Sequence, residues 1–234
     1  MKNTFRTLLL AVAMVPLGAC QTSTITMFPS GGGGGGGGGG NPNGPLIQAT
    51  IMDIKTASLP APFNDLRSCQ VQITSNVGAS VTITSATLIA PGSSPVLLTA
   101  SGSDTYSDNA GAGWTYQAGQ NYSVQVVMWG QTYIATVLAP GGVGIPATGV
   151  AGPVTWSTPG TPGMDSVAVD GNTVPGATTS GSLNTGSATY FPTPGVTYSI
   201  SVYLAKLVNG AFGSQAYTGS SMTIVLSDTV SYTR

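Results

Sequence analysis

Past Pro45 the chain alternates apolar and polar residues in short runs, and Gly, Pro or Asn breaks the runs about every 8–12 residues, the rhythm of an all-β fold. Val, Ile, Thr, Ser and Tyr fill the runs. These side chains suit a pleated, half-buried surface. No segment carries the 3.6-residue apolar period with caps, and Glu, a strong helix former, is absent. The pattern predicts strands at 46–54, 69–75, 80–90, 95–101, 114–117, 121–129 and 132–139. A second set falls at 153–157, 164–170, 187–191, 196–206, 213–218 and 221–232.

Two of these strands match. Gly119-Gln120-Asn121-Tyr122-Ser123-Val124-Gln125-Val126 aligns with Gly195-Val196-Thr197-Tyr198-Ser199-Ile200-Ser201-Val202, with Tyr122 and Tyr198 76 residues apart. Alternation puts Tyr122, Val124, Val126 and Met128 on one face, and Tyr198, Ile200, Val202 and Leu204 on the corresponding face. A shared pattern at a domain-sized interval predicts two related modules in tandem. Trp129-Gly130-Gln131-Thr132 fits a two-residue type II′ hairpin with Gly first, and Asn209-Gly210 a type I′ turn. The breaker-rich stretch from Ala139 to Pro146 places the boundary. The expected organisation is a first β-sandwich over 46–140, a linker over 141–152 and a second β-sandwich over 153–234.

The motif Gly-x-x-Tyr-x-apolar-x-Val, preceded by a turn, resembles the F strand of fibronectin type III and related immunoglobulin-like domains. There the tyrosine hydroxyl bonds back to the backbone as a tyrosine corner. Phe191-Pro192-Thr193-Pro194-Gly195-Val196-Thr197-Tyr198 carries the closer likeness, and Val154-Thr155-Trp156-Ser157 is similar to the early tryptophan strand of that family. The first module has Ile83 at the corresponding place and no tryptophan. The resemblance implies two tandem immunoglobulin-like sandwiches.

The N-terminus reads differently. Lys2 and Arg6 precede an apolar run from Leu8 to Val15, closed by Pro16. Spanning a bilayer as a helix takes about 20 apolar residues, so the run reads as a removed signal. Leu17-Gly18-Ala19-Cys20 after it resembles the lipobox of bacterial lipoproteins. That likeness implies cleavage after residue 19, acylation of Cys20 and a lipid-anchored chain in the cell envelope. Gln21, where Asp would favour the inner membrane of an enteric host, implies the outer membrane, at its periplasmic face or the cell surface. Residues 20–45 follow as lipidated terminus and linker, with an unbroken glycine run from Gly31 to Gly40. Twenty-five such residues span roughly 25–30 Å, enough to lift a domain clear of head groups. The G-x-G-x-x-G inside the run has no strand before it and no helix after it, so it carries no nucleotide-binding meaning.

Composition narrows function by exclusion. Only 6% of residues are charged, and His and Glu are missing. Without Lys2 and Arg6, four basic residues stand against seven Asp, a net charge of −3. Nothing clusters Lys and Arg as nucleic acid requires. Proton carriers tuned near neutral pH are mostly His and Glu, and neither a G-x-S-x-G nor an S-x-x-K motif occurs, so no enzyme is expected. Zinc and copper lack ligands, and Ser103-Asp104-Thr105-Tyr106-Ser107-Asp108-Asn109 lacks the spacing of a calcium loop, so no metal or cofactor is expected. With Cys20 acylated, Cys69 has no partner, and its parity with Val71 and Ile73 predicts a buried thiol. Trp114, Tyr116 and Trp129 sit at predicted loop ends, where aromatics stack on sugars or dock on partners, or else cap the ends of a core. Trp129 opposes the Tyr122 face and is the better candidate contact.

The reading that follows is a non-catalytic, membrane-anchored surface lipoprotein whose modules serve adhesion or envelope interaction, with protein or glycan at the cell surface as partner. A carbohydrate-binding accessory lipoprotein and a periplasm-facing envelope scaffold are the alternatives.

Overall fold

The computed structural model describes residues 40–56, 65–75, 81–102, 104–108, 113–141, 143–144, 152–156, 165–175 and 181–234. The signal, Cys20 and most of the glycine run lie outside the described residues. All described residues fall in one unit, residues 38–234.

The chain is all-β. The strands are β1 (Leu46–Thr56), β2 (Asp65–Thr74), β3 (Ile83–Ile89), β4 (Val96–Ala100), β5 (Thr105–Ser107), β6 (Asn121–Met128) and β7 (Gln131–Leu138). Then come β8 (Val143–Gly144), β9 (Pro153–Trp156), β10 (Ser166–Val169), β11 (Asn172–Thr173), β12 (Ser182–Asn184), β13 (Thr197–Asn209) and β14 (Ser221–Thr233). Among the described residues, eleven strands form one sheet in the order β11-β10-β13-β14-β1-β2-β5-β4-β3-β6-β7, and β12-β9-β8 form a second.

Alternation becomes burial as expected. Tyr122, Val124, Val126 and Met128 face a first core, and Tyr198, Ile200, Val202 and Leu204 a second. Cys69, Val71 and Ile73 are fully buried together. Each large apolar side chain withdrawn from water contributes about 1.5–3 kcal/mol.

The two cores do not separate at residues 141–152. β14 pairs antiparallel with β13 from Thr197↔Thr233 to Asn209↔Ser221, and in parallel with β1 from Gln48↔Ser221 to Thr56↔Thr229. Met222 and Ile224 at the start of β14, with Phe212 and Ala216 before it, fill the first core. Leu226 and Tyr232, further along the same strand, fill the second. The first core is therefore completed by residues from the chain's far end.

Three expected strands are absent. Residues 114–117 are irregular, because the Tyr122 hydroxyl takes the Gln117 N–H and the Thr115 carbonyl that a ladder would use. Residues 187–191 form a turn closed by the Phe191 N–H on the Ser187 carbonyl at 2.9 Å. Residues 213–218 are turns, with the Ala216 N–H on the Gly213 carbonyl and the Tyr217 N–H on the Pro45 carbonyl. The short strands β5, β8, β11 and β12 have too few residues to show alternation.

Turn chemistry also differs. Met128↔Gln131 closes the β6–β7 hairpin, so its loop is Trp129-Gly130, one residue earlier than expected. Both have positive φ, 50° and 71°, which is type I′ geometry rather than type II′. Asn209 pairs with Ser221 and the connection runs from Gly210 to Ser220, so Asn209-Gly210 is not a two-residue turn. The tight turn of the second half is Asp170-Gly171, at φ 48° and 80°, which joins β10 to β11.

Candidate functional site

On the inward row of β1, Ile47, Ala49 and Ile51 are followed by Asp53 and Lys55. On the matching row of β2, Ile73, Val71 and Cys69 are followed by Arg67 and Asp65. The antiparallel register sets Asp53 opposite Arg67 and Lys55 opposite Asp65, while the parallel register sets Lys55 opposite Asp228 of β14. Inward positions thus turn from apolar to charged at one end of the first core, beside the point where β14 passes to the second. In a chain so poor in charge, five charged residues gather here.

Asp53 is fully buried. Lys55 Nζ stands 3.4 Å from Oδ2, and neither carboxylate oxygen accepts a hydrogen bond from a described residue. Burial, opposed by the Lys55 ammonium and reinforced by Asp65, pushes its carboxyl from 3.8 to about 6. Burial likewise raises Asp228, against the pull of Lys55. Asp65 pairs with Arg67 at 3.4 Å.

Asp108 holds the neighbouring ring. Its Oδ1 accepts the Cys69 N–H at 3.0 Å and its Oδ2 the Trp114 Nε1–H at 2.7 Å. The Arg67 guanidinium lies over the Trp114 ring, 5.8 Å from its centroid, and donates to the Trp114 carbonyl. Trp114 meets Tyr122 edge-on at 6.1 Å, and Tyr116 stacks on Tyr122 at 5.7 Å with its hydroxyl on the Pro140 carbonyl at 2.9 Å. Burial raises the Tyr116 hydroxyl and the Cys69 thiol well above their ordinary ranges, so neither offers an anionic nucleophile.

The aromatic candidates therefore part company. Trp114 is 3% exposed and its indole N–H is spent on Asp108, so its face is closed to a ligand. It is a core residue, and the expectation of a contact there is corrected by burial. Tyr116 is half-buried and packs against both cores. Trp129 stands apart from both, 49% exposed at the β6–β7 tip.

Asp53 was missed as a buried group, although its parity with Ile47, Ala49 and Ile51 announces it. The cluster can take up a proton, but Asp53 is shut away from solvent and cannot reach a substrate. Among the described residues no three of His, Cys, Asp and Glu come together to hold a metal ion. No family model, no curated protein and no solved structure matches this chain.

Proposed function

We propose that this chain is a non-catalytic, lipid-anchored protein of the cell envelope that presents two immunoglobulin-like β-sandwich modules to a partner at the cell surface. The observation that carries the reading is Leu17-Gly18-Ala19-Cys20 directly after a charged start and a short apolar run. Gly31 to Gly40 then separates the anchor from the folded body. The sandwich assignment is supported by two inward tyrosines whose hydroxyls bond to backbone upstream, at Tyr122 and Tyr198. Strands β3, β6 and β7 pair in the same order as β10, β13 and β14, which supports an internal duplication.

Mass spectrometry of the mature N-terminus tests the anchor. An acylated Cys20 as first residue is expected, and an unmodified Cys20 or a cut elsewhere overturns it. Protease shaving of intact cells then separates a surface-exposed chain, which is digested, from a periplasmic scaffold, which survives.

A carbohydrate-binding reading is favoured by Trp129 alone. A tryptophan held at φ 50° in a turn position preferred by Asn, Asp or Gly, and half exposed there, is in place to stack on a sugar ring. A glycan array is the test: retention that is lost in Trp129→Ala supports it, and no retention removes it.

A further inference from the structure

Among the described residues β7 is an end strand of the large sheet, and it spans Gln131 to Leu138 without a charge, proline or glycine. The other end strands among the described residues are all short. β11 and β8 have two residues each and β12 has three. Shortness is one way native proteins blunt an edge; charge, proline and bulges are others. Among the described residues β7 uses none of these, and no strand pairs with its outer side, although residues of β13 and β14 come within 8 Å of it. Its counterpart in the second half, β14, has the equivalent side covered by β1.

The register identifies the free groups. With Met128↔Gln131 closing a two-residue turn, hydrogen-bonded pairs fall at Gln131, Tyr133, Ala135 and Val137. The Ala139 N–H on the Gln120 carbonyl at 2.9 Å continues that phase. The main-chain N–H and C=O groups of Thr132, Ile134, Thr136 and Leu138 therefore point away from β6. The same four side chains are exposed, Ile134 at 51% and Leu138 at 47%.

We propose that this edge pairs with β7 of a second copy of the chain, antiparallel about a two-fold axis at Ala135. In that register Thr132 lies beside Leu138 of the second copy, and Ile134 beside Thr136 of the second copy. All four outward residues are used on each side, which no other antiparallel register achieves. Up to about eight main-chain bonds form, within the 10 ± 5 of a typical specific interface. Ile134 comes diagonal to Leu138 of the second copy on the exposed face, within reach of apolar contact. The antiparallel two-fold lets one edge serve both copies and closes the assembly. Charge permits it: residues 81–102 and 113–141, which hold β3, β4, β6 and β7, contain no Asp, Glu, Lys or Arg. Two identical faces meet without repulsion, whereas a charged partner strand finds no complement. The proposal does not depend on the lipid anchor.

Sedimentation velocity of the full mature chain over a concentration series is the test. A reversible dimer is expected. Ile134→Lys and Thr136→Pro are each expected to weaken it at least about tenfold, the first by placing like charges along the edge and the second by removing an outward N–H. Leu97→Lys, on the same face but on β4, keeps the dimer. Circular dichroism checks folding, and Ile134→Lys suffices if Thr136→Pro fails to fold. A mixture of Ile134→Cys and Thr136→Cys chains cross-links with a short thiol reagent, while each variant alone does so far less. A chain that stays monomeric throughout, a dimer untouched by both edge variants, or a dimer lost when residues 21–39 are removed would overturn the proposal.

Discussion

Tyr122 and Tyr198 hold the same place in the two halves of the chain: each hydroxyl accepts the backbone N–H of the residue five positions upstream. Gln117 N–H reaches Tyr122 at 2.6 Å, and Thr193 N–H reaches Tyr198 at 2.8 Å. Each hydroxyl also donates to a carbonyl in that segment, of Thr115 at 3.3 Å and of Thr193 at 3.1 Å. A side chain thereby ties down an irregular segment that would otherwise leave backbone groups unpaired.

Removing either hydroxyl exposes that dependence. Tyr122→Phe and Tyr198→Phe are each expected to cost about 1–3 kcal/mol, because the partner N–H loses its acceptor. Chemical denaturation measures the loss. A change within error at both sites would show that water replaces the hydroxyl at no cost.

The shared strands predict a single unfolding transition. β13 and β14 contribute to both cores, so neither half can melt while the other stays intact. Calorimetry of the mature chain is expected to show one peak. A chain ending at residue 140 lacks Phe212, Met222 and Ile224 from its core, each worth about 1.5–3 kcal/mol. It is expected to be unfolded by circular dichroism. A stably folded 46–140 fragment would contradict this account.

Asp53 makes stability depend on pH in an unusual direction for a carboxyl. Its folded value, about 6, lies above the ordinary 3.8, so the folded state binds the proton more tightly than the unfolded state. Its contribution is complete below pH 3.8 and is lost as pH rises through 6, up to about 3 kcal/mol in all. Melting temperature is expected to fall between pH 4 and 7 on this account. Asp53→Asn, which stays neutral, is expected to flatten that slope. An unchanged slope in the variant would move the effect to another group.

Trp129 carries a backbone cost. An L-residue with φ near +50° gives up roughly 1–2 kcal/mol that glycine does not. Trp129→Gly or Trp129→Asn is expected to stabilise the hairpin by about 1 kcal/mol, read as a rise in melting temperature. Asp170-Gly171 shows the ordinary solution in the same chain, with Asp where Trp129 stands. A drop in stability would mean that the indole packs on the body more strongly than the strain opposes it.

What the sequence by itself determined is local. Strand alternation placed Tyr122, Val124, Val126 and Met128, and Tyr198, Ile200, Val202 and Leu204, on buried faces, because side-chain direction has a period of two whatever the partner strand. The same rule buried Cys69 and marked both tyrosines as inward. The tertiary structure alone decided which strands meet: β14 beside β1 in parallel, Met222 and Ile224 given to the first core, and β7 left at an edge. It also decided that Trp114 turns inward to Asp108, and that Asp53 lies between Arg67 of β2 and Leu226 of β14. Pairing between residues more than a hundred positions apart depends on how whole faces fit and on what closing the intervening chain costs in entropy, and neither quantity is written in any short stretch of residues.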